Sequence, residues 1–170
     1  MYKGAVIVAC ASVLVACAAV PGRPALLDLD NDKVIDSEDA CPGTAVGTPV
    51  SADGCSVFSR SLDAVEFGPG DHRLNAASRT ALTEFVELLT VHPDVTVQLG
   101  GHTDNRGSAA ENLELSKRRV MSVVKFLVSN GIVADRLKPF GFGESRPIMS
   151  NATDEGRAMN RRIEVTVIEQ

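Results

Sequence analysis

The segment from Gly100 to Arg119, GGHTDNRGSAAENLELSKRR, contains the strand end, turn and helix start that decide the fold of this chain. Apolar residues alternate with other residue types in VTVQLG (95–100), which predicts a half-buried β-strand. DNRG (104–107) consists of residue types that tolerate tight turns. Ser108 and Glu111 have the spacing of a reciprocal capping box, so we predict that a helix begins here.

This strand, turn and helix unit carries charges of both signs. Asp104 is at the strand-to-helix junction, and Arg118 and Arg119 lie about three turns along the helix. Fixed charges of opposite sign favour a zwitterionic ligand, and a guanidinium selects a carboxylate through bidentate geometry. The same pattern is also typical of a solvated surface turn, in which Asp104 caps backbone amides.

The flanking sequence predicts four strands and three helices. In chain order these are a strand at 64–67, a helix capped by Asn75, the strand at 95–100, a helix from Ser108 to about Asn130, a strand at 137–142, a short helix near Thr153 and a final strand from Ile163. Two helices have apolar faces, predicted as Leu82, Phe85, Val86 and Leu89 on the first and Leu113, Val120, Val124 and Leu127 on the second. The order β-α-β-α-β-(α)-β predicts an α/β (α+β) two-layer sandwich, with helices on one face of a mixed sheet.

Three blocks of sequence resemble a known family. They are GHTDNRGSAAENLELSKRR (101–119), GFGESRP (141–147) and NATDEGRAMNRRIEV (151–165). Together they are similar to the peptidoglycan-binding domain of the OmpA-like family, which also includes the peptidoglycan-associated lipoprotein and flagellar stator subunits. The resemblance runs from about residue 64 to 168 and implies an OmpA-like peptidoglycan-binding domain over 61–170 with the same fold.

The resemblance also implies site residues. Asp104 would hold the free ammonium of meso-diaminopimelate in the peptidoglycan stem peptide, and Arg119 would hold its carboxylate. Thr103 and Asn112 match family positions near the ligand, whereas Arg118 is expected to face solvent. The pair 161–162 also matches a family motif, although Arg161 and Arg162 are equally consistent with structural pairs to Asp154 or Glu155. GPG (68–70) departs from the more polar loop of many members.

Composition limits the number of domains, the type of core and the classes of partner. A chain of 170 residues with 44% hydrophobic and 23% charged residues has room for one domain plus appendages. Only 4% of the residues are aromatic and Trp is absent, so the core is predicted to be aliphatic. The formal net charge of −5 gives no basis for nucleic-acid binding, which calls for a basic face.

The first residues are predicted to be a lipoprotein signal peptide. Lys3 precedes an uncharged run that fits a signal-peptide core and is too short to span a bilayer. LVAC (14–17) resembles a bacterial lipobox, so we predict cleavage after residue 16, lipidation of Cys17 and a tether over 17–27. The alternatives are a lipobox at Cys10 and an ordinary cleaved signal. Ala18 after the cysteine implies the periplasmic face of the cell outer membrane, reached through the lipid anchor.

The segment DLDNDKVIDSED has the ligand spacing of a calcium loop. The side chains of Asp28, Asp30, Asp32, Asp36 and Asp39 stand at positions 1, 3, 5, 9 and 12, with the Val34 carbonyl at position 7. It resembles thrombospondin type 3 repeats, which implies a structural calcium ion in a small module over 28–60. Lys33 at the usual glycine position and a final aspartate instead of glutamate depart from the pattern. The alternative is an acidic, disordered linker.

Two cysteines follow the acidic loop. Cys41 and Cys55 are the only cysteines outside the lipobox region, and an oxidising periplasm is predicted to pair them. Such a bond would stabilise a module too small to bury much core.

These observations predict a binding protein and not an enzyme. His72, His92 and His102 have no zinc-hydrolase spacing, and the chain contains no GxSxG elbow. The predicted function is an outer-membrane lipoprotein that tethers the membrane to peptidoglycan. The alternative is the wall-anchoring subunit of an envelope-spanning machine, for which other envelope-complex proteins would be partners.

Overall fold

The computed structural model describes residues 27–44, 48–58, 62 and 64–169. In this part of the chain three α-helices and three strands form a mixed α/β fold, as predicted. The elements are α1 (Ala76–Val91), β1 (Thr96–His102), α2 (Ala109–Ser129), a 3-10 turn (Ala134–Arg136), β2 (Leu137–Gly143), α3 (Asp154–Asn160) and β3 (Ile163–Glu169).

The three strands form one sheet in the order β2-β1-β3. β1 pairs in parallel with β2 and antiparallel with β3. The central position of β1 places its C-terminal end, and therefore the following turn, between the ends of both neighbours. Predicted as half-buried, β1 is in fact buried at every position except Gln98. On the face of the sheet to which Gly100 belongs, the ring of Phe142 covers β1, since a Cβ at Gly100 would lie 2.8 Å from the ring atom Cε2.

All three helices begin at side-chain caps, which local sequence predicts well. Asn75 accepts a hydrogen bond from the Ser78 amide, and Thr153 accepts one from the Gly156 amide. Ser108 and Glu111 form both hydrogen bonds of the predicted capping box. A cap of this kind contributes about 1 kcal/mol and fixes where the chain enters the helix.

The predicted strand at 64–67 is wrong in the described part of the chain, because side chains bind the carbonyl groups that a strand partner would use. Ser78 Oγ donates to the Glu66 carbonyl at 3.2 Å, and Arg161 Nε donates to the Phe67 carbonyl at 3.0 Å. The alternation of burial survives, with Val65 and Phe67 inside the core. The segment therefore packs as a strand would without pairing as one.

The core lies between the sheet and helices α1 and α2. It begins before residue 61, since the side chain of Phe58 is fully buried and its ring meets Phe85 edge-on at 6.3 Å. The predicted faces of both helices are largely correct, with Val86 and Val124 only partly buried. Other buried members of the core are Leu62, Leu82, Leu89, Val97, Leu99, Val120, Val123 and Leu127.

Leu113 was predicted on the buried face of α2 but is 39% exposed. Near its N-terminus this helix lies almost directly on the sheet, because a Cβ at Gly143 would be 3.1 Å from the Leu113 amide nitrogen. Such close backbone contact leaves no room for a large apolar side chain. Asn112 and Ser116 take the inward positions instead.

Candidate functional site

The carboxylate of Asp104 lies at the end of β1 and is only 6% exposed. Its Oδ2 pairs with Arg161 Nη1 at 2.9 Å, and its Oδ1 accepts a hydrogen bond from the Arg106 amide at 3.2 Å. Asp104 therefore caps a backbone amide of the turn, as the simpler interpretation predicted, and also forms a buried ion pair. Buried carboxylates are rarely left unpaired, and the arginine supplies the counter-charge here.

Arg161 occupies a place that sequence reasoning did not find. The sequence is consistent with pairs to Asp154 or Glu155, but Asp154 binds Arg106 and Arg157 instead. Arg161 is at the end of α3, where the chain enters the strand next to β1, so its guanidinium reaches Asp104 across 57 residues of sequence. Long-range proximity of this kind has no local sequence signal.

Arg119 is completely buried and donates hydrogen bonds to three backbone carbonyl oxygens. Its Nε binds Asp71 at 2.9 Å, its Nη1 binds His102 at 2.9 Å, and its Nη2 binds Gly68 at 3.0 Å. Burial lowers the pKa of this guanidinium to about 10, an effect that the nearby Asp104 charge opposes. The side chain is therefore charged at neutral pH.

One carboxylate and two guanidiniums thus converge where β1 ends. Both arginines also hold the irregular segment 67–71, through the carbonyls of Phe67, Gly68 and Asp71. GPG (68–70) differs from the more polar loop of many family members, but the segment still forms one wall of the site. The arginines bind it through backbone carbonyl oxygens, which do not depend on the side chains. The cluster can accept a cation at Asp104 and an anion at the guanidiniums.

Thr103, which directly precedes Asp104, and Asn112, in the first turns of α2, are both 3% exposed. The Thr103 hydroxyl is buried without a hydrogen-bond partner, which is costly unless a ligand or water supplies one. Asn112 Nδ2 donates to Glu144 Oε2 at 2.5 Å. Glu144 was not predicted, although it belongs to the GFGESRP block.

His102 is the buried last residue of β1, two positions before Asp104. Its ring stacks on Phe142 at 5.2 Å, and its Nε2 lies 3.2 Å from Glu164 Oε2. Burial lowers the pKa of His102 to about 4, and the neighbouring arginines at 162 and 146 act in the same direction. His102 is therefore neutral at pH 7 and does not compete with the two site arginines for anions.

Arg118 is exposed, as predicted. Arg162 is turned away from Asp104, since it pairs with Glu164 at 2.9 Å and donates to the Arg146 carbonyl. The structure thus brings Asp104 and Arg119 together with Arg161, which was not predicted at this position. Asn112 binds Glu144, which directly follows Gly143, the residue whose carbonyl accepts the Thr103 amide.

In the acidic loop, Asp28, Asp30 and Asp32 each place one carboxylate oxygen within 4.8 Å of the others. Asp36 and Asp39 are not in this group, and their Oδ1 atoms accept the amides of Leu29 and Cys41.

Two carboxylate oxygens of these residues, Asp28 Oδ1 and Asp32 Oδ2, are buried without a hydrogen-bond partner. Lys33 has a φ of 79°, the conformation for which the loop pattern has glycine. Hard oxygen donors left unpaired in this way fit a cation such as calcium.

The predicted disulfide between Cys41 and Cys55 is present, with 4.9 Å between the Cα atoms. The signal peptide over 1–16, both candidate lipobox cysteines at 17 and 10, and nearly all of the tether over 17–27 lie outside the described residues. Among the residues that are described, no helix has the length and apolarity needed to cross a membrane.

Comparison with known proteins places these residues in a family. A model of the OmpA family matches residues 66–161. Outer membrane porin F of Pseudomonas aeruginosa is 37% identical over 145 residues, covering 82% of this chain and 41% of the porin. The peptidoglycan-binding protein ArfA of Mycobacterium tuberculosis is 36% identical over 130 residues, covering 74% of this chain and 40% of ArfA. The chain thus spans about two fifths of the length of these relatives.

A solved structure shares the fold. The cell wall anchor of the type VI secretion system (T6SS) from Pseudomonas aeruginosa superposes with a TM-score of 0.54 at 27% identity, covering 64% of this chain and 78% of the anchor.

Proposed function

Because the chain belongs to the OmpA family, we propose that it binds peptidoglycan non-covalently, through the diaminopimelate of the stem peptide, and catalyses no reaction. The observation that carries this proposal is the buried convergence of Asp104, Arg119 and Arg161 at the end of β1. A relative named as a peptidoglycan-binding protein, with 36% identity, supports the same ligand.

The proposed binding mode follows from the unused hydrogen-bonding capacity of the cluster. The ligand ammonium binds the Asp104 carboxylate, which already accepts one amide and one guanidinium. The ligand carboxylate binds Arg119, which uses three of its donors on carbonyls, and a guanidinium has five N–H groups. Arg161 contributes to the same anion site, and the unpartnered Thr103 hydroxyl supplies a further polar contact.

Wall binding is tested by sedimentation of the purified chain with two kinds of sacculi. Diaminopimelate-type sacculi should carry the chain into the pellet, whereas lysine-type sacculi lack the second carboxylate of that side chain and should carry at least about tenfold less. Asp104→Asn should lose binding, and the exposed Asp135→Asn is the matched control. Equal sedimentation with both sacculi would refute recognition of the zwitterion.

We further propose that the chain is anchored in the outer membrane by lipid on Cys17. The LVAC block supports this, and several acyl chains anchor a protein far more firmly than one. A fatty-acid probe should label the wild-type chain and Cys10→Ser, but not Cys17→Ser. Label that survives in Cys17→Ser and is lost from Cys10→Ser would move the anchor to Cys10.

A second candidate function is the wall anchor of an envelope-spanning machine. It is favoured by the similarity to the cell wall anchor of a secretion system. Cross-linking in intact envelopes separates the two roles. A general tether should yield wall fragments and diverse envelope proteins, whereas an anchor should yield the subunits of one assembly.

For the acidic loop we propose a structural calcium ion held by Asp28, Asp30 and Asp32. The Val34 carbonyl and the Oδ2 atoms of Asp36 and Asp39, whose Oδ1 atoms already accept backbone amides, are the proposed further ligands. The clustered oxygens and the unpartnered Asp32 Oδ2 support this. Calorimetry with the disulfide intact should show calcium heat at millimolar concentrations and little magnesium heat, because magnesium dehydrates reluctantly. Asp32→Asn should abolish the heat and the exposed Glu38→Gln should not. If calcium heat persists in Asp32→Asn, the calcium site is wrong and the segment is an acidic linker.

A further inference from the structure

A cationic groove runs along the outer face of α2, on the far side of the segment 67–71 from Asp104. Two adjoining hollows of about 360 and about 350 Å³ share the residues His72, Ser122 and Lys125. Five basic side chains line them: Arg73, Arg79, Lys117, Arg118 and Lys125. This concentration of positive charge is notable in a chain whose formal net charge is −5.

Only part of this charge is neutralised within the protein. Arg73 pairs with Asp71 at 2.9 Å, and Lys117 pairs with Glu114 at 2.7 Å. Among the described residues, Arg79, Arg118 and Lys125 form no ion pair within 4.0 Å. The groove therefore carries an excess of three positive charges that an external anion can satisfy.

The groove is long enough for a chain. Arg118, Ser122, Lys125 and Ser129 are spaced four, three and four residues apart, which places them along one face of α2. At 1.5 Å per residue the distance from Lys117 to Ser129 is roughly 18 Å along the helix axis. Separate anionic groups on an extended ligand fit this spacing better than a single small ion does.

The groove shares a wall with the Asp104 site. The Asp71 carbonyl binds Arg119 on the inner side, and the next two residues, His72 and Arg73, line the groove on the outer side. A polymer bound at Asp104 thus needs to cross only this short wall to reach the groove. The apolar side chains here are Leu74 and Phe126, both half-buried, and Met121, which is 42% exposed, so the groove offers little apolar surface for insertion into a bilayer.

We propose that this groove is a second binding site for the wall polymer, which holds its carboxylates beyond the diaminopimelate residue. This inference rests on the proposed function. Arg79, Arg118 and Lys125 attract the polymer by exposed charge, so each contact is weak and depends on salt. The Asp104 site selects the ligand, and the groove adds affinity along the same chain.

The test is sedimentation of the full chain, in a non-ionic detergent, with diaminopimelate-type sacculi. Lys125→Glu should weaken binding about 3- to 10-fold at low salt. Lys138→Glu, an equal charge change at an exposed position of β2, should have no effect. Raising the salt concentration should weaken the wild type and the control more than Lys125→Glu. Arg118→Gln with Lys125→Gln should reproduce the loss without adding negative charge.

Two further experiments identify which anionic groups the groove binds. Hydrofluoric acid removes phosphodiester-linked polymers from sacculi and leaves stem carboxylates, so the effect of Lys125→Glu should persist after this treatment. Its disappearance would overturn the carboxylate assignment. Binding to phosphatidylglycerol mixed micelles that depends on Lys125, without such dependence on sacculi, would assign the groove to a membrane surface.

The two proposals fail in different ways. If Lys125→Glu binds like Lys138→Glu while Asp104→Asn loses binding, the groove proposal is wrong and the proposed function stands. If Asp104→Asn binds like the wild type, the proposed function is wrong whatever the groove variants do.

Discussion

Replacement of Arg119 by Met should destabilise the fold severely, which is a consequence of how this residue is held. The change removes hydrogen bonds to the carbonyls of Gly68, Asp71 and His102, and the guanidinium also lies 5.1 Å from the Phe67 ring centroid. At about 1.5–3 kcal/mol for each bond to a charged donor, the gross loss is about 4.5–9 kcal/mol. Since the mutation also removes the cost of burying a charge, we expect a net loss of about 3–5 kcal/mol.

Urea unfolding at pH 7 measures this loss. Arg118→Met is the matched control, because it removes the same group from the adjacent, exposed position and should change stability by less than about 0.5 kcal/mol. A loss below about 1 kcal/mol for Arg119→Met would refute the inference that Arg119 holds the segment 67–71. A large loss would mean that Arg119 variants cannot test ligand binding on their own, because they also alter the fold.

Two further predictions concern pH and the extent of the core. Burial lowers the pKa of His102 from 6.5 to about 4, so the stability that neutral His102 contributes is complete above pH 6.5 and is lost as the pH falls to 4. Between pH 7 and 4 the free energy of unfolding of the wild type, measured with urea, should fall by about 3 kcal/mol more than that of His102→Gln. Equal losses in the two proteins would contradict this. Phe58→Ala should cost about 3–5 kcal/mol by the same assay, and the half-exposed Phe140→Ala should cost far less; similar costs would show that Phe58 is not part of the main core.

Local rules predicted the elements of the fold well. The caps at Asn75 and Ser108 and the start of the short helix near Thr153 were predicted correctly, because a cap is a contact between residues three apart in sequence. The strand at 64–67 was wrong because its outcome depends on Ser78 and Arg161, which lie 12 and 94 residues beyond the carbonyl groups that they bind. Burial still alternates along this segment, with Val65 and Phe67 buried and Ala64 and Glu66 exposed, but alternation does not specify what binds the backbone.

In the candidate site too, local features could be predicted from sequence and long-range contacts could not. Asp104 and Arg119 could be found from sequence because they lie on one strand-turn-helix unit with recognisable blocks. The pairing of Arg161 with Asp104, and of Glu144 with Asn112, depends on how the sheet brings distant chain segments together. The burial of Phe58 next to Phe85 was also not predictable, since the residues around it read as part of a separate module.

The buried cluster at Asp104 is proposed to bind a zwitterion. Calorimetric titration of free meso-diaminopimelate into the wild type, Asp104→Asn and Asp135→Asn tests it without the polymer, the anchor or the groove. We predict saturable heat for the wild type and for Asp135→Asn, and at least about tenfold weaker binding for Asp104→Asn. Equal heats from all three proteins, or no heat from the wild type, would contradict the claim.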